Sequence, residues 1–100
     1  MITVYTQDNC SYCDMAKQWL NNHDFKFETI NLSHDDVAKD FMKNQGHTTV
    51  PQIYWTDSIL PPALLVEGGA QSLISMGKDK FQEITDKLTQ QNLAFQELQL

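Results

Sequence analysis

Two cysteines separated by two residues, Cys10-Ser11-Tyr12-Cys13, stand between a short β-branched run and an amphipathic stretch, and that placement leaves few folds open. Met1 to Thr6 reads as a strand running into the polar turn Gln7-Asp8-Asn9, with Asn9 placed to cap the next element. From Ser11 to Asn22, the apolar residues Tyr12, Met15, Ala16, Trp19 and Leu20 recur at three- and four-residue spacing, which predicts a helix with one buried face. Phe25 to Asn31 is short and rich in strand-forming residues, so a second strand comes next. The three elements make a βαβ unit, a right-handed parallel crossover.

Ser33 offers a capping hydroxyl ahead of His34, Asp35 and Asp36, and Val37, Phe41 and Met42 give a second helix its apolar face, which Gly46 ends. Val50 to Trp55 predicts a strand whose early Pro51 cannot donate to a ladder, Leu64 to Val66 predicts another, and Gly68-Gly69 marks a tight turn. Phe81, Ile84, Thr85 and Leu88 form a helical stripe, continued by Leu93, Phe95 and Leu98 after a break around Asn92. The order is β, α, β, α, β, β, α, with the last two strands a hairpin. An α/β fold with a four-stranded mixed sheet flanked by helices is expected, as one domain over residues 1–100 with the tail 91–100 left open.

The formal charge of −6, with lysine as the only basic residue besides histidine, argues against a phosphate-backbone partner. Ile59 to Val66, the longest apolar stretch, is broken by Pro61 and Pro62 and is too short to cross a bilayer. The first residues show no cationic and apolar leader pattern, which points to the cytoplasm.

A disulfide closing so short a loop stabilises a fold by only about 2 kcal/mol or less, so the cysteine spacing needs a chemical explanation. Residues three apart share a helix face, which permits reversible disulfide closure. Unpaired N–H groups and the positive dipole end at a helix start favour a thiolate at the first cysteine. Cys10 is therefore the expected nucleophile and Cys13 the resolving thiol. Lys17, one turn on, either adds positive potential or is simply solvated. Half of a zinc site is the other use of such a pair, but His23, His34 and His47 lack the close second-pair spacing that zinc modules show.

Cys10-Ser11-Tyr12-Cys13, Thr49-Val50-Pro51 and Gly68-Gly69, in this order along a βαβαββα pattern, resemble the glutaredoxin family over roughly residues 1–90. The resemblance implies a thioredoxin-like fold and a glutathione-dependent reductase of protein disulfides and glutathione mixed disulfides. It implies that Pro51 is cis and that Val50, beside Thr49, pairs its backbone with the cysteinyl part of glutathione. Tyr12 would wall the groove. Gly69, next to Gly68, would allow close approach of the γ-glutamyl end, with Gln71 and Ser72 offering a carboxylate site at a helix start and Ser72 preferred. Implied partners are glutathione and disulfide-containing or glutathionylated proteins, ribonucleotide reductase among them, acting on a monomer.

The family commonly carries a cation three residues before the first cysteine and another just before Thr-Val-Pro, where this chain has Gln7 and Thr48, the latter beside His47. That lowers the expected affinity for the glycyl carboxylate by about 1 to 2 kcal/mol and keeps open a thioredoxin-like reductant with weak glutathione use. Ser11 in place of the usual motif proline keeps open a second alternative. There, Cys10 and glutathione hold a [2Fe-2S] cluster between two protomers. The segment from Pro51 to Gly68 is also longer than usual, and its apolar stretch Ile59 to Leu65 is either a partner-docking surface or a cover for the end of the helical layer.

Overall fold

The computed structural model of the chain describes residues 1–98, with side chains through Ala94. Its elements are β1 (Ile2–Thr6), α1 (Ser11–Asn22), β2 (Phe27–Asn31), α2 (Asp36–Asn44), β3 (Gln52–Trp55), β4 (Ala63–Val66), α3 (Gly69–Met76) and α4 (Lys78–Leu98). The strands form the expected four-stranded mixed sheet in the order β2-β1-β3-β4. β1 runs parallel to β2 and antiparallel to β3, and β3 and β4 make the antiparallel hairpin.

Period-two alternation divides the sheet between two cores. Ile2 and Val4 of β1, Ile53 of β3 and Leu65 and Val66 of β4 face one side, where α1 adds Ala16 and Leu20, α3 adds Ala70 and Leu73, and α4 adds Phe81. Tyr5 and Tyr54 face the other side, against Ala38 and Met42 of α2. A β-bulge between Ile53 and Tyr54 inserts Leu65 opposite the regular ladder, which lets two successive β4 residues enter the first core.

Several local expectations change. Asn9 does not cap α1: it adopts a left-handed φ of 56°, which asparagine tolerates, and hands the cap to Cys10, whose Sγ accepts from Cys13 N–H at 3.1 Å. Asp35, not Ser33, caps α2, because its carboxylate reaches Ala38 N–H at 3.0 Å. Ser33 Oγ instead accepts from Asp8 N–H, and Asn31 Nδ2 donates to Asp8 Oδ1, so the turn leading to Cys10 is tied to the end of β2.

Phe25 lies before β2: its N–H bonds Leu20 O, and its ring stacks on Trp19 and meets Phe81 edge-on. The single terminal helix resolves into two, parted at Gly77, whose φ of 84° suits glycine. No break occurs at Asn92, because α4 runs unbroken from Lys78 to Leu98. The stripe positions Phe95 and Leu98 lie outside the described side chains. Among the described residues, no helix is long and apolar enough to cross a membrane.

Candidate active site

Cys10 sits at the opening of α1 with an extended backbone, and the chain turns helical directly after it. Cys10 and Cys13 are joined as a disulfide with a Cα–Cα separation of 5.2 Å, inside the range such a bridge accepts. Their environments differ: Cys10 is half-buried, whereas Cys13 is sealed inside the domain. The N–H that reaches Cys10 Sγ would meet a thiolate there with a stronger, charge-assisted bond. Asp14 in the same turn would oppose a thiolate, but Lys17 Nζ holds it at 3.3 Å. Lys17 is thus an ion-pair partner of Asp14 on the surface of α1.

Tyr12, half exposed between the two cysteines, forms one wall of a groove of about 250 Å³. Thr49, Val50 and Pro51 form the facing wall, and Gly68, Gly69, Ala70 and Gln71 close the end at the start of α3. The Val50–Pro51 peptide is cis. Val50 precedes β3, and among the described residues no turn or side-chain hydrogen bond engages its N–H or C=O. Gly69 has a φ of 74°, and a Cβ on it would stand 3.4 Å from Pro51 O. A Cβ on Gly68 would collide with the Ser72 side chain. Gly69 therefore lets the α3 N-terminus approach the proline loop, and Gly68 leaves room for the Ser72 side chain one turn on.

Of the residues singled out from the sequence, Tyr12, Thr49, Val50, Pro51, Gly69 and Gln71 share this groove. Ser72, the preferred member of its pair, lies beneath Gly68 and does not line it.

A second cavity of about 330 Å³ adjoins through Thr49 and Val50. Gln7, Thr48 and His47 line it, and so do Lys39 and Lys43 of α2. These two lysines escaped sequence reasoning, which inspected the positions flanking each motif. The signal was their four-residue spacing, which puts both ammonium groups on one helix face. Where the chain has neutral Gln7 and Thr48, the positive charge arrives from α2.

The glutaredoxin family model matches residues 2–59. The glutaredoxin-like protein NrdH of Lactococcus lactis is 34% identical over 53 residues, covering 53% of this chain and 74% of that protein. Glutaredoxin 3 of Escherichia coli is 33% identical over 54 residues, covering 53% of this chain and 65% of that protein. Among solved structures, the glutaredoxin-like NrdH-redoxin of Escherichia coli, described with a thioredoxin-like activity profile, is 32% identical. It superposes with a TM-score of 0.53 over 57% of this chain and 75% of that one. A buckwheat glutaredoxin–glutathione complex has a TM-score of 0.65 over 86% of this chain and 76% of that one, at 19% identity, which speaks to the fold alone.

Proposed function

The chain belongs to the glutaredoxin family, and from that premise we propose that it is a glutathione-linked thiol–disulfide oxidoreductase, with Cys10 attacking and Cys13 resolving. The observation that carries this reading is the groove beside Tyr12, in which the unengaged Val50 backbone faces a glycine-lined helix start. An extended cysteinyl peptide would pair with Val50 as an added strand, its sulfur directed to α1. A carboxylate would rest at the N–H groups opening α3, and Lys39 and Lys43 would attract the second carboxylate of glutathione.

The Cys10 thiolate attacks the glutathionyl sulfur of a mixed disulfide, releasing the protein thiolate, which takes up a proton, and leaving Cys10 bonded to glutathione. A second glutathione thiolate attacks that glutathionyl sulfur, forming oxidised glutathione and returning the Cys10 thiolate. With a protein disulfide, Cys10 attacks first and Cys13 then displaces the substrate thiolate, closing the Cys10–Cys13 bridge. Two glutathiones reopen it. The burial of Cys13 suits this order, because an outside disulfide meets Cys10 first.

Neutral Gln7 and Thr48, together with the likeness to the NrdH-redoxin, favour a second reading. In it, the same pair reduces protein disulfides with electrons from a thioredoxin-type reductase. The [2Fe-2S] alternative would draw its ligand from Cys10, the more accessible of the two thiols, together with glutathione; the cluster would supply electron storage or delivery.

The deciding experiment follows reduction of a glutathionylated peptide by wild type, Cys10→Ser and Cys13→Ser, after the visible spectrum of anaerobically purified protein has been recorded. Activity reduced to background in Cys10→Ser and retained in Cys13→Ser is expected. Turnover with a thioredoxin reductase but none with glutathione would replace this reading with the second. A visible chromophore would turn it toward the cluster.

A further inference from the structure

The segment from His47 to Pro51 carries Val50 across to the sheet with no regular structure of its own. It leaves α2 through Gly46, at a φ of 82°, and His47 N–H bonds Met42 O at 3.0 Å. Thr48 and Thr49 are exposed. Near Val50, Gln52 Nε2 donates to Thr49 O at 2.9 Å and to Thr49 Oγ1 at 3.3 Å. At the other end, the His47 ring is hydrogen-bonded to the hydroxyl of Tyr54 and stands edge-on to that ring, with centroids 5.6 Å apart.

Tyr54 is a rigid post. It is 3% exposed, sits in β3 three residues past the proline, and is boxed edge-on by Tyr5 at 5.5 Å and Phe41 at 5.8 Å. Burial, with Tyr5 adding to it, raises the Tyr54 pKa and keeps the phenol neutral. Among the described residues, His47 is the only hydrogen-bond partner of this hydroxyl. A buried hydroxyl deprived of its partner is costly, so the bond holds the loop at its root.

We propose that the His47–Tyr54 hydrogen bond is a latch that positions the Thr48-Thr49-Val50 backbone for the incoming cysteinyl peptide, making His47 and Tyr54 positioning residues for substrate affinity. The proposal rests on Val50 being the strand-like partner of that peptide. It does not depend on whether glutathione or a protein supplies the cysteine. Neither ring lines the groove beside Tyr12, so the latch leaves sulfur exchange at Cys10 alone. His47 also borders the adjoining cavity of Lys39 and Lys43, whereas Tyr54 lines neither, so Tyr54→Phe reads the latch without altering a binding wall.

Tyr54→Phe removes the hydroxyl and keeps the ring. With a glutathionylated peptide, its KM should rise about fivefold, the effect of one net hydrogen bond, at unchanged kcat. Dithiothreitol-driven reduction of hydroxyethyl disulfide, which needs no peptide groove, should run at the wild-type rate. Once His47→Ala has been made, adding Tyr54→Phe should raise KM no further, and His47→Gln should recover part of the loss. An unchanged KM, a fall in kcat matched in the hydroxyethyl disulfide control, or full additivity of the two substitutions would each overturn the latch. Should wild type reject glutathione altogether, the proposed function falls while the latch is judged by the same KM comparison on a peptide disulfide.

Discussion

The two faces of the sheet are built on different terms. Behind the cysteines, ten fully apolar residues from every strand but β2 and from α1, α3 and α4 close into one core. Across the sheet, four buried residues suffice, two of them tyrosines with hydroxyls to satisfy, and α2 covers them with help from partly buried Ile30, Leu32 and Leu64. The thin face borders the cavity that gathers Lys39, Lys43 and His47, while α1 and α3 of the thick face present the cysteines and the glycine turn. Stability is thus concentrated on one side of the sheet and a pair of cations on the other, so that changes at Lys39 and Lys43 leave the core beneath the helix that carries Cys13 untouched.

Truncation should expose this asymmetry. Phe81→Ala empties a site where Trp19 and Phe25 meet the ring at 5.8 and 5.0 Å, and should cost about 4 kcal/mol in chemical denaturation. Met42→Ala on the thin face should cost about 2 kcal/mol, because its neighbours can relax toward the adjoining cavity. Equal losses would dissolve the comparison.

Asp57 is a reference outside both faces. Its Oδ1 accepts from Leu60 N–H at 2.6 Å and Ile59 N–H at 2.8 Å, and its Oδ2 from Trp55 Nε1 at 3.2 Å. The bond from Leu60, opposed by some desolvation and helped by those from Ile59 and Trp55, holds its carboxyl below the usual range. A folded-state pKa lowered in this way contributes stability that is complete above the unfolded value of about 3.9 and lost as pH falls through the folded one. Asp57→Ala should cost about 1 kcal/mol at neutral pH, with the gap to wild type shrinking as acid denaturation is followed below pH 4 or so. The smallest stability change belongs to Lys39→Ala with Lys43→Ala. Their denaturation midpoint should stay within about 0.5 kcal/mol of wild type, while KM for a glutathionylated peptide rises about fivefold. A change confined to stability would remove these lysines from the site.

The βαβ unit and the limits of α1 were legible because apolar spacing there is dense and the polar turns are sharp. Caps were less so: Asn9 and Asp35 differ from the expected capping pattern by one or two positions, and only the backbone angle decides which side chain reaches the free N–H groups. α3 was hidden by its brevity and by the two glycines at its start, which read equally well as a turn alone. The cysteine pair and the Val50–Pro51 wall were visible as motifs. Lys39, Lys43, His47 and Gln7 meet only because the turn after α2 folds back beside β1, a proximity that no local spacing encodes.

The bulge in β4 also sets where the glycine turn falls along the sheet. Ile53 pairs with Val66 and Tyr54 with Leu64, so Leu65 is a spare residue lying between the hairpin loop and the glycine turn. A strand rises about 3.4 Å per residue, so deleting Leu65 would restore a regular ladder only by drawing Gly68 and Gly69 back along Pro51 by about that amount. Leu65 thus works as a spacer: it fixes how far β4 carries the chain before the turn, and with it the place where the glycine turn meets the proline loop.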